Sequence, residues 1–408
     1  MLRRTERILE NIPVGSLGLI ALTGCEELGK KVDDYLVKWR HESGNEHRDD
    51  IAFAGYEKDT FLVNAEVPRF GSGEAKGIIS ESVRGKDLYL MVDVCNYSVT
   101  YSLTGNTNHM SPDDHFQNLK RIIAAVGGKG RRVNVIMPFL YESRQHKRSS
   151  RESLDCALAL QELVRMGVDN IITFDAHDPR VQNAIPLSGF ETVKPTYQFI
   201  KGLLRTVKDL QIDSDHMMAI SPDEGGTNRA VYLANVLGLD MGMFYKRRDY
   251  TRIVDGRNPI VAHEFLGSSV EGKDVIIIDD MISSGDSMIE VATELKRRKA
   301  NRIFAAATFG LFTNGMEKFD KAYEDGIITG ILTTNLIYQT PELLSKPYYI
   351  NCDMSKYIAL IIDTLNHDGS ISSILSPNER IQNVVRKYKN GEPILSANLM
   401  TVYEKNFF

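Results

Sequence analysis

Several short polar clusters each follow an apolar run, and their residue types suit phosphate and sugar chemistry. The most specific is residues 275–287, VIIIDDMISSGDS. Residues 275–278 supply a buried strand, Asp279 and Asp280 follow at its carboxyl end, and a small polar loop, Ser283, Ser284, Gly285, Asp286 and Ser287, runs into a helical pattern. A helix N-terminus offers unpaired N–H groups and a positive dipole end, which suits a phosphate. The serine hydroxyls add donors, and Gly285 allows close backbone approach or a positive φ. The two carboxylates can accept hydrogen bonds from adjacent sugar hydroxyls. Helix capping also favours Asp and Ser, but it does not account for two acids directly after a wholly apolar strand. The motif is read as a strand-loop-helix that binds a phosphorylated ribose.

Four further clusters are weaker one by one. Residues 221–226, SPDEGG, combine two glycines that let backbone wrap a polyanion with Asp223 and Glu224, which can hold Mg²⁺ or sugar hydroxyls; Pro-Asp-x-Gly is also a common turn. Residues 173–178, TFDAHD, set Asp175 and His177 at another strand end, a plausible metal or phosphate contact. Residues 142–151, ESRQHKRSSR, and 245–248, YKRR, bring cations that could stabilise charge on a transferring phosphoryl group. One decoy is set aside. GCEELGKK, residues 24–31, comes close to a P-loop, but Lys31 stands where Ser or Thr must hold Mg²⁺. Taken together, the clusters describe a site for a nucleoside polyphosphate, a metal and a sugar phosphate.

The elements that must position these clusters are legible as a pattern. Near-continuous apolar runs of strand length recur at residues 17–22, 88–94, 133–137, 171–174, 217–220, 241–245, 275–278, 303–307 and 327–332, with helical patterns between them. Strands buried on both faces look like this, and the alternation predicts α/β architecture with mainly parallel sheets flanked by helices. So many strands suggest two sheets. Residues 186–195, with two prolines and a glycine, are the candidate junction; residues 39–50 are expected to be an exposed insertion, and the pattern weakens into a charged tail after about residue 377. The chain has 408 residues, 42% hydrophobic and 25% charged, a formal charge of -5 and a pI of about 6.0. That balance speaks against a nucleic-acid binder and for an ordinary globular protein. No apolar run approaches the ~20 residues of a membrane span. The first residues, MLRRTERILENIP, lack the apolar region of a signal peptide and could form a short amphipathic helix. The four cysteines are far apart and form no CxxC, so the expected setting is a reducing cytoplasm.

From about residue 17 to 376 the motifs, in order, resemble the ribose-phosphate pyrophosphokinase (phosphoribosyl pyrophosphate synthetase) family. They include GIISESVRGKDLYL (77–90), the SRQ of ESRQHKR, TFDAHDPRVQ (173–182), SPDEGG, YKRR, IIDDMISSGDS, TTNLI (333–337) and DGSISSIL (368–375). The resemblance implies two phosphoribosyltransferase-like domains, here residues 17–190 on the ATP side and 191–377 on the ribose 5-phosphate side, with extensions at 1–16 and 378–408. It implies Mg²⁺-dependent transfer of the β,γ-diphosphoryl group of ATP to O1 of ribose 5-phosphate, leaving AMP, in a cytoplasmic homo-oligomer built from dimers. By motif, Ser72, Gly73 and Glu74 match the adenine loop, Arg144 and Gln145 the ATP-binding pair, His177 and Asp223 the Mg²⁺-associated positions, and Lys246 and Arg248 the basic pair of the catalytic loop. Asp279, Asp280 and residues 283–287 match the ribose 5-phosphate site. The departures are specific. The family's phosphate loop reads Asp-Thr-Gly-Gly-Thr where this chain has SSGDS, so Ser283 loses an acid and Asp286 gains one; His146 and Ser72 also replace acids. A divergent diphosphokinase with another acceptor or donor, a non-catalytic regulatory paralogue and a phosphoribosyltransferase are the alternatives.

Overall fold

The structure, a computed structural model, describes residues 12–44, 55–248 and 260–394, without the side chains of 43–44, 246–248 and 260–263. The first residues, with their expected amphipathic helix, lie outside it. Two α/β sheets carry the fold. The first is wholly parallel and runs in chain order through β1 (Ser16–Ala21), β2 (Lys86–Met91), β3 (Arg132–Ile136), β4 (Asn170–Phe174) and β5 (Gly189–Val193). Helices α1 (Glu26–Gly44), α2 (Pro112–Val126) and α3 (Asp155–Arg165) accompany it. Residues 186–195, read from sequence as a junction, therefore include the edge strand β5, and the chain leaves this sheet only at Lys194 and Pro195.

The second sheet has the order β8-β7-β6-β9-β10-β11-β12. Its strands are β6 (Met217–Ser221), β7 (Asp240–Arg248), β8 (Ile260–Leu266), β9 (Asp274–Ile282), β10 (Ile303–Gly310), β11 (Gly330–Thr334) and β12 (Tyr349–Cys352). Only β8 is antiparallel to its neighbour, β7. Helices α4 (Thr196–Thr206), α5 (Thr227–Leu237), α6 (Asp286–Arg297) and α7 (Glu317–Glu324) accompany these strands. The order reverses at β6, which lies between β7 and β9. In open α/β sheets such a switch point opens a crevice at the carboxyl ends of the strands, where ligands bind.

Three expectations need correcting. Strand β9 does not stop before the acids but continues to Ile282, because Met281 and Ile282 pair onward with Phe309 and Gly310. Lys246 and Arg248, expected on a loop, stand instead at the end of β7, which pairs with β8. Finally, the start of the supposed exposed insertion is the last part of α1, where Trp39 is 7% and Arg40 1% exposed; residues 45–50 lie outside the described residues.

Arg40 is buried because the chain beyond the second sheet returns to the first. Helix α8 (Ser355–Asn366) adds Tyr357, Ile358, Ile361 and Ile362 to the core that holds Leu19 and Val32. Burying each such side chain contributes about 1.5–3 kcal/mol. A polar clasp fixes it in register. Arg132 donates to both carboxylate oxygens of Asp87 (2.9 and 2.8 Å) and to the Leu365 carbonyl (2.7 Å). Asn366 donates to Asp87 (2.9 Å) and accepts from Arg40 (2.8 Å). The C-terminal tail is not featureless: α9 (Asn378–Lys389) seats Ile381, Val384 and Val385 among Phe199, Leu203, Ala230 and Leu233. Its Tyr388 hydroxyl donates to the Val207 carbonyl (2.9 Å) and accepts from the Leu210 N–H (2.8 Å).

Just beyond β2, Asp93, 3% exposed, accepts the backbone N–H groups of Cys95 (2.9 Å) and Tyr338 (2.6 Å). Burial pushes its carboxyl up to about 7, against the two N–H groups that favour the charged form. A raised carboxyl holds its proton in the folded protein where the unfolded chain has released it. Its contribution is thus complete below about pH 4 and lost as pH rises toward 7. The unfolding free energy of the wild type relative to Asp93→Asn should therefore fall between about pH 5 and about pH 7, by up to ~1.4 kcal/mol per pH unit. Denaturant titrations across that range check it, and a pH-independent difference would remove Asp93 from the account.

Candidate active site

Four strand ends converge at the switch point. Strand β4 delivers Asp175 and His177, β6 delivers Asp223, β9 carries Asp279 and Asp280, and β10 carries Thr308. Asp175 is 8% exposed and adopts φ +41°, a left-handed conformation Asp tolerates better than most residues. Its surroundings hold it there. The Thr308 hydroxyl donates to Oδ2 (2.7 Å), Arg229 Nε donates to Oδ1 (2.9 Å), and its own N–H donates to the Val193 carbonyl (3.0 Å). Arg229 also places Nη2 3.7 Å from Asp280 Oδ2, which lies 2.7 Å from His177 Nδ1. One connected network, Thr308–Asp175–Arg229–Asp280–His177, thus laces the first sheet to the second beside the crevice. Sequence reasoning missed Arg229. The available signal was a cation at the third residue of α5, where the helix dipole disfavours positive charge.

The adjacent acids are driven apart electrostatically. Burial raises the Asp279 carboxyl well above its ordinary value, and the charges of Asp280 and Asp223 add to the rise. Burial pushes on Asp280 too, but the His177 imidazole and the Arg229 guanidinium outweigh it and hold Asp280 below the usual range. One carboxyl inclined to keep a proton stands beside one inclined to stay ionised, so the pair can both donate to and accept from neighbouring sugar hydroxyls. Asp223 caps its own turn, accepting from the N–H groups of Gly225 (2.9 Å) and Gly226 (3.2 Å).

Beyond β9 the chain turns tightly into α6. Ser283 accepts the Thr313 N–H (3.0 Å), Gly285 has φ +87°, and Asp286 is the first residue of α6. A Cβ on Gly285 would lie 2.2 Å from the Phe319 ring, so only glycine fits both the conformation and the space. The Asp286 carboxylate accepts from the Lys318 ammonium, with both side chains about half exposed.

The other sequence-derived candidates lie outside this network. Ser72 donates to Glu74 (3.0 Å) in a tight turn with Gly73 at φ +90°. Arg69 stacks on Tyr101 at 3.9 Å and donates to the Gly73 carbonyl (3.0 Å) and Asp114 (3.0 Å), tying that turn to a hairpin of Thr100–Leu103 and Asn106–His109. Among the described residues no hydrogen bond links the turn to the His177–Asp280 centre. Arg144 is exposed, while the Gln145 amide closes its own loop by donating to the carbonyls of Ser153 (2.7 Å) and Lys147 (3.3 Å). The His146 ring lies 5.3 Å from that of His177, and burial with the nearby His177 holds it below its usual value. Lys246 and Arg248 stand in β7 opposite His263 and Ile260; their side chains lie outside the described residues.

Comparison with known proteins gives consistent matches. Residues 17–167 match the model of the N-terminal domain of ribose phosphate pyrophosphokinase, and residues 194–345 match the phosphoribosyl transferase domain. The ribose-phosphate pyrophosphokinase of Vibrio parahaemolyticus is 28% identical over 319 residues, covering 77% of this chain and 92% of the relative. That of Shewanella oneidensis is 29% identical, covering 77% and 91%. A crystal structure of phosphoribosylpyrophosphate synthetase from Mycobacterium smegmatis superposes with a TM-score of 0.67 at 20% identity, covering 87% of this chain and 100% of that one, which establishes a shared fold.

Proposed function

Because this chain belongs to the ribose-phosphate pyrophosphokinase family, we propose that it moves the β,γ-diphosphoryl group of ATP to O1 of ribose 5-phosphate. The O1 hydroxyl loses its proton, ultimately to solvent, as the O1–Pβ bond forms; the bond from Pβ to the oxygen bridging it to Pα breaks, and AMP leaves with that oxygen. The observation that carries this reading is the placement of two adjacent acids, Asp279 and Asp280, directly ahead of the Gly285 turn and the N-terminus of α6 at the switch point. In this reading the two acids hold the ribose hydroxyls, and residues 283–287 hold the 5-phosphate at the N-terminus of α6. Arg144, Gln145 and the turn of Ser72, Gly73 and Glu74 bind ATP. Lys246 and Arg248 would supply positive charge for the transferring group. Such chemistry is mostly positioning and electrostatics.

Mg²⁺ fits this donor set. The charge of Asp223 reaches Asp279, so both acids lie in one acidic corner of the crevice that suits a cation. Mg²⁺ is commonly bound through one or two carboxylates plus substrate phosphates, and among the described residues no larger ready-made protein cluster exists. Asp223 and His177 would hold the ion, which when bound would neutralise phosphate charge. The Nδ1 of His177 is committed to Asp280, which fixes its ring and leaves Nε2 for the cleft. A dimer-based homo-oligomer in the cytoplasm completes the proposal.

The test is AMP release from ATP and Mg²⁺ with and without ribose 5-phosphate. Strong stimulation by the sugar is expected, and none would sink the reading. Ser283 and Asp286 in the cradle favour one second reading, a related phosphoribosyl acceptor. A panel of ribose 5-phosphate derivatives giving a higher kcat/KM than ribose 5-phosphate itself would select it.

A further inference from the structure

The cradle contains a charge that opposes its proposed ligand. Asp286 is the first residue of α6, within the loop assigned to a phosphate dianion. A carboxylate there suits the helix dipole when the site is empty and repels a phosphate when it is filled. Its side chain is not loose. Lys318 of α7 donates to it and holds the Asp286 carboxyl below the usual carboxylate range. The same helix buttresses the loop a second time, since the Phe319 ring occupies the space beside Gly285. The N-terminal half of α7 thus supplies both the wall of the cradle and a cation for its acid.

We propose that Lys318 is the counter-charge that makes this loop usable by an acceptor phosphate: by engaging Asp286 it cancels the carboxylate's repulsion, and so sets the KM for the acceptor. The proposal rests on the reading of residues 283–287 as the phosphate cradle. Lys318 is a positioning residue here, acting through Asp286, and being 57% exposed it can be truncated without opening a core.

Steady-state kinetics on three variants test it. Lys318→Ala should raise the KM for ribose 5-phosphate about tenfold while kcat and the KM for ATP stay within about threefold. The rise should shrink at about 1 M salt, where exposed charges are screened within ~3 Å. Lys318→Ala combined with Asp286→Asn should return the KM to within about threefold of wild type, because the unpaired charge is gone. Asp286→Asn alone should lower the KM below the wild-type value, because the loop then loses its opposing charge and keeps the lysine. An unchanged KM in Lys318→Ala overturns the proposal, as does a double variant no better than Lys318→Ala, which would mean that the lysine serves the phosphate directly. Ser284→Ala and Ser287→Ala separate this from failure of the underlying reading. If they raise the acceptor KM while Lys318→Ala does not, only the Lys318 proposal falls; if none of the three moves it, the cradle assignment falls as well.

Discussion

Replacing Arg229 with Met should destabilise the protein by about 3–5 kcal/mol and strip it of most of its turnover, with the loss growing as pH rises. Arg229 is 11% exposed and Asp175 8%, so the pair is screened little by solvent. Removing one partner of a buried ion pair leaves an uncompensated charge, which costs about 3–5 kcal/mol. Here two acids lose their cation, because Arg229 also lies 3.7 Å from Asp280. The Asp175 carboxyl is already raised by burial, with Arg229 acting against the rise; without the guanidinium it rises further. A raised carboxyl contributes stability that is present below its unfolded value and lost as pH climbs through the folded one. The deficit of Arg229→Met should therefore be small in mild acid, where Asp175 can take up a proton, and large above neutrality. Chemical denaturation at about pH 5 and about pH 8 measures this, and a deficit equal at both would show that the pair does not titrate. Turnover should fall with stability, since Asp175 and Asp280 belong to different sheets and Arg229 is what bridges them beside the crevice.

How much of this was legible in the sequence follows from what each element must bury. Parallel strands covered on both faces are apolar throughout, so β6, β9 and β10 stand out, and the polar residues at their carboxyl ends stand out against them. That is why His177, Asp223, Asp279 and Asp280 can be singled out as candidates without a structure. The misses have separate causes. Strand β9 runs on past its acids because pairing with β10 decides where a strand ends, and hydropathy does not record it. Trp39 and Arg40 read as surface because their partner, α8, comes from more than 300 residues away. The polar network around Asp87 is equally non-local, since it joins Arg132 and Asn366. Helix α9 is different. Ile381, Val384, Val385 and Tyr388 recur at the spacing of one helical face, and the surrounding charges masked a signal that was present. The Asp286–Lys318 pair could not be read from sequence, because 32 residues separate two ordinary surface charges.

His177→Ala should lower kcat by about 100-fold or more, the scale of losing one preorganised polar group in an active site, while costing less stability than Arg229→Met, because the ring is 36% exposed. The imidazole does two things. Its Nδ1 lies 2.7 Å from Asp280 Oδ2 and orients that carboxylate, and in the proposed reaction its other nitrogen would help hold the ion. The first role has its own signature. Burial acts to raise the Asp280 carboxyl, and His177 together with Arg229 reverses this. Without the imidazole the depression weakens, and the pH at which Asp280 becomes protonated moves upward. A group that must be ionised sets the acid limb of the kcat/KM profile for the acceptor, so that limb should shift to higher pH in His177→Ala. His177→Gln, which can still donate to Asp280 through its amide, should keep more of the wild-type limb than Ala while losing the same metal contact. Two variants with equal losses of kcat but different acid limbs would separate the roles. An unmoved limb in both would mean that Arg229 alone keeps Asp280 charged and that His177 works only through the ion.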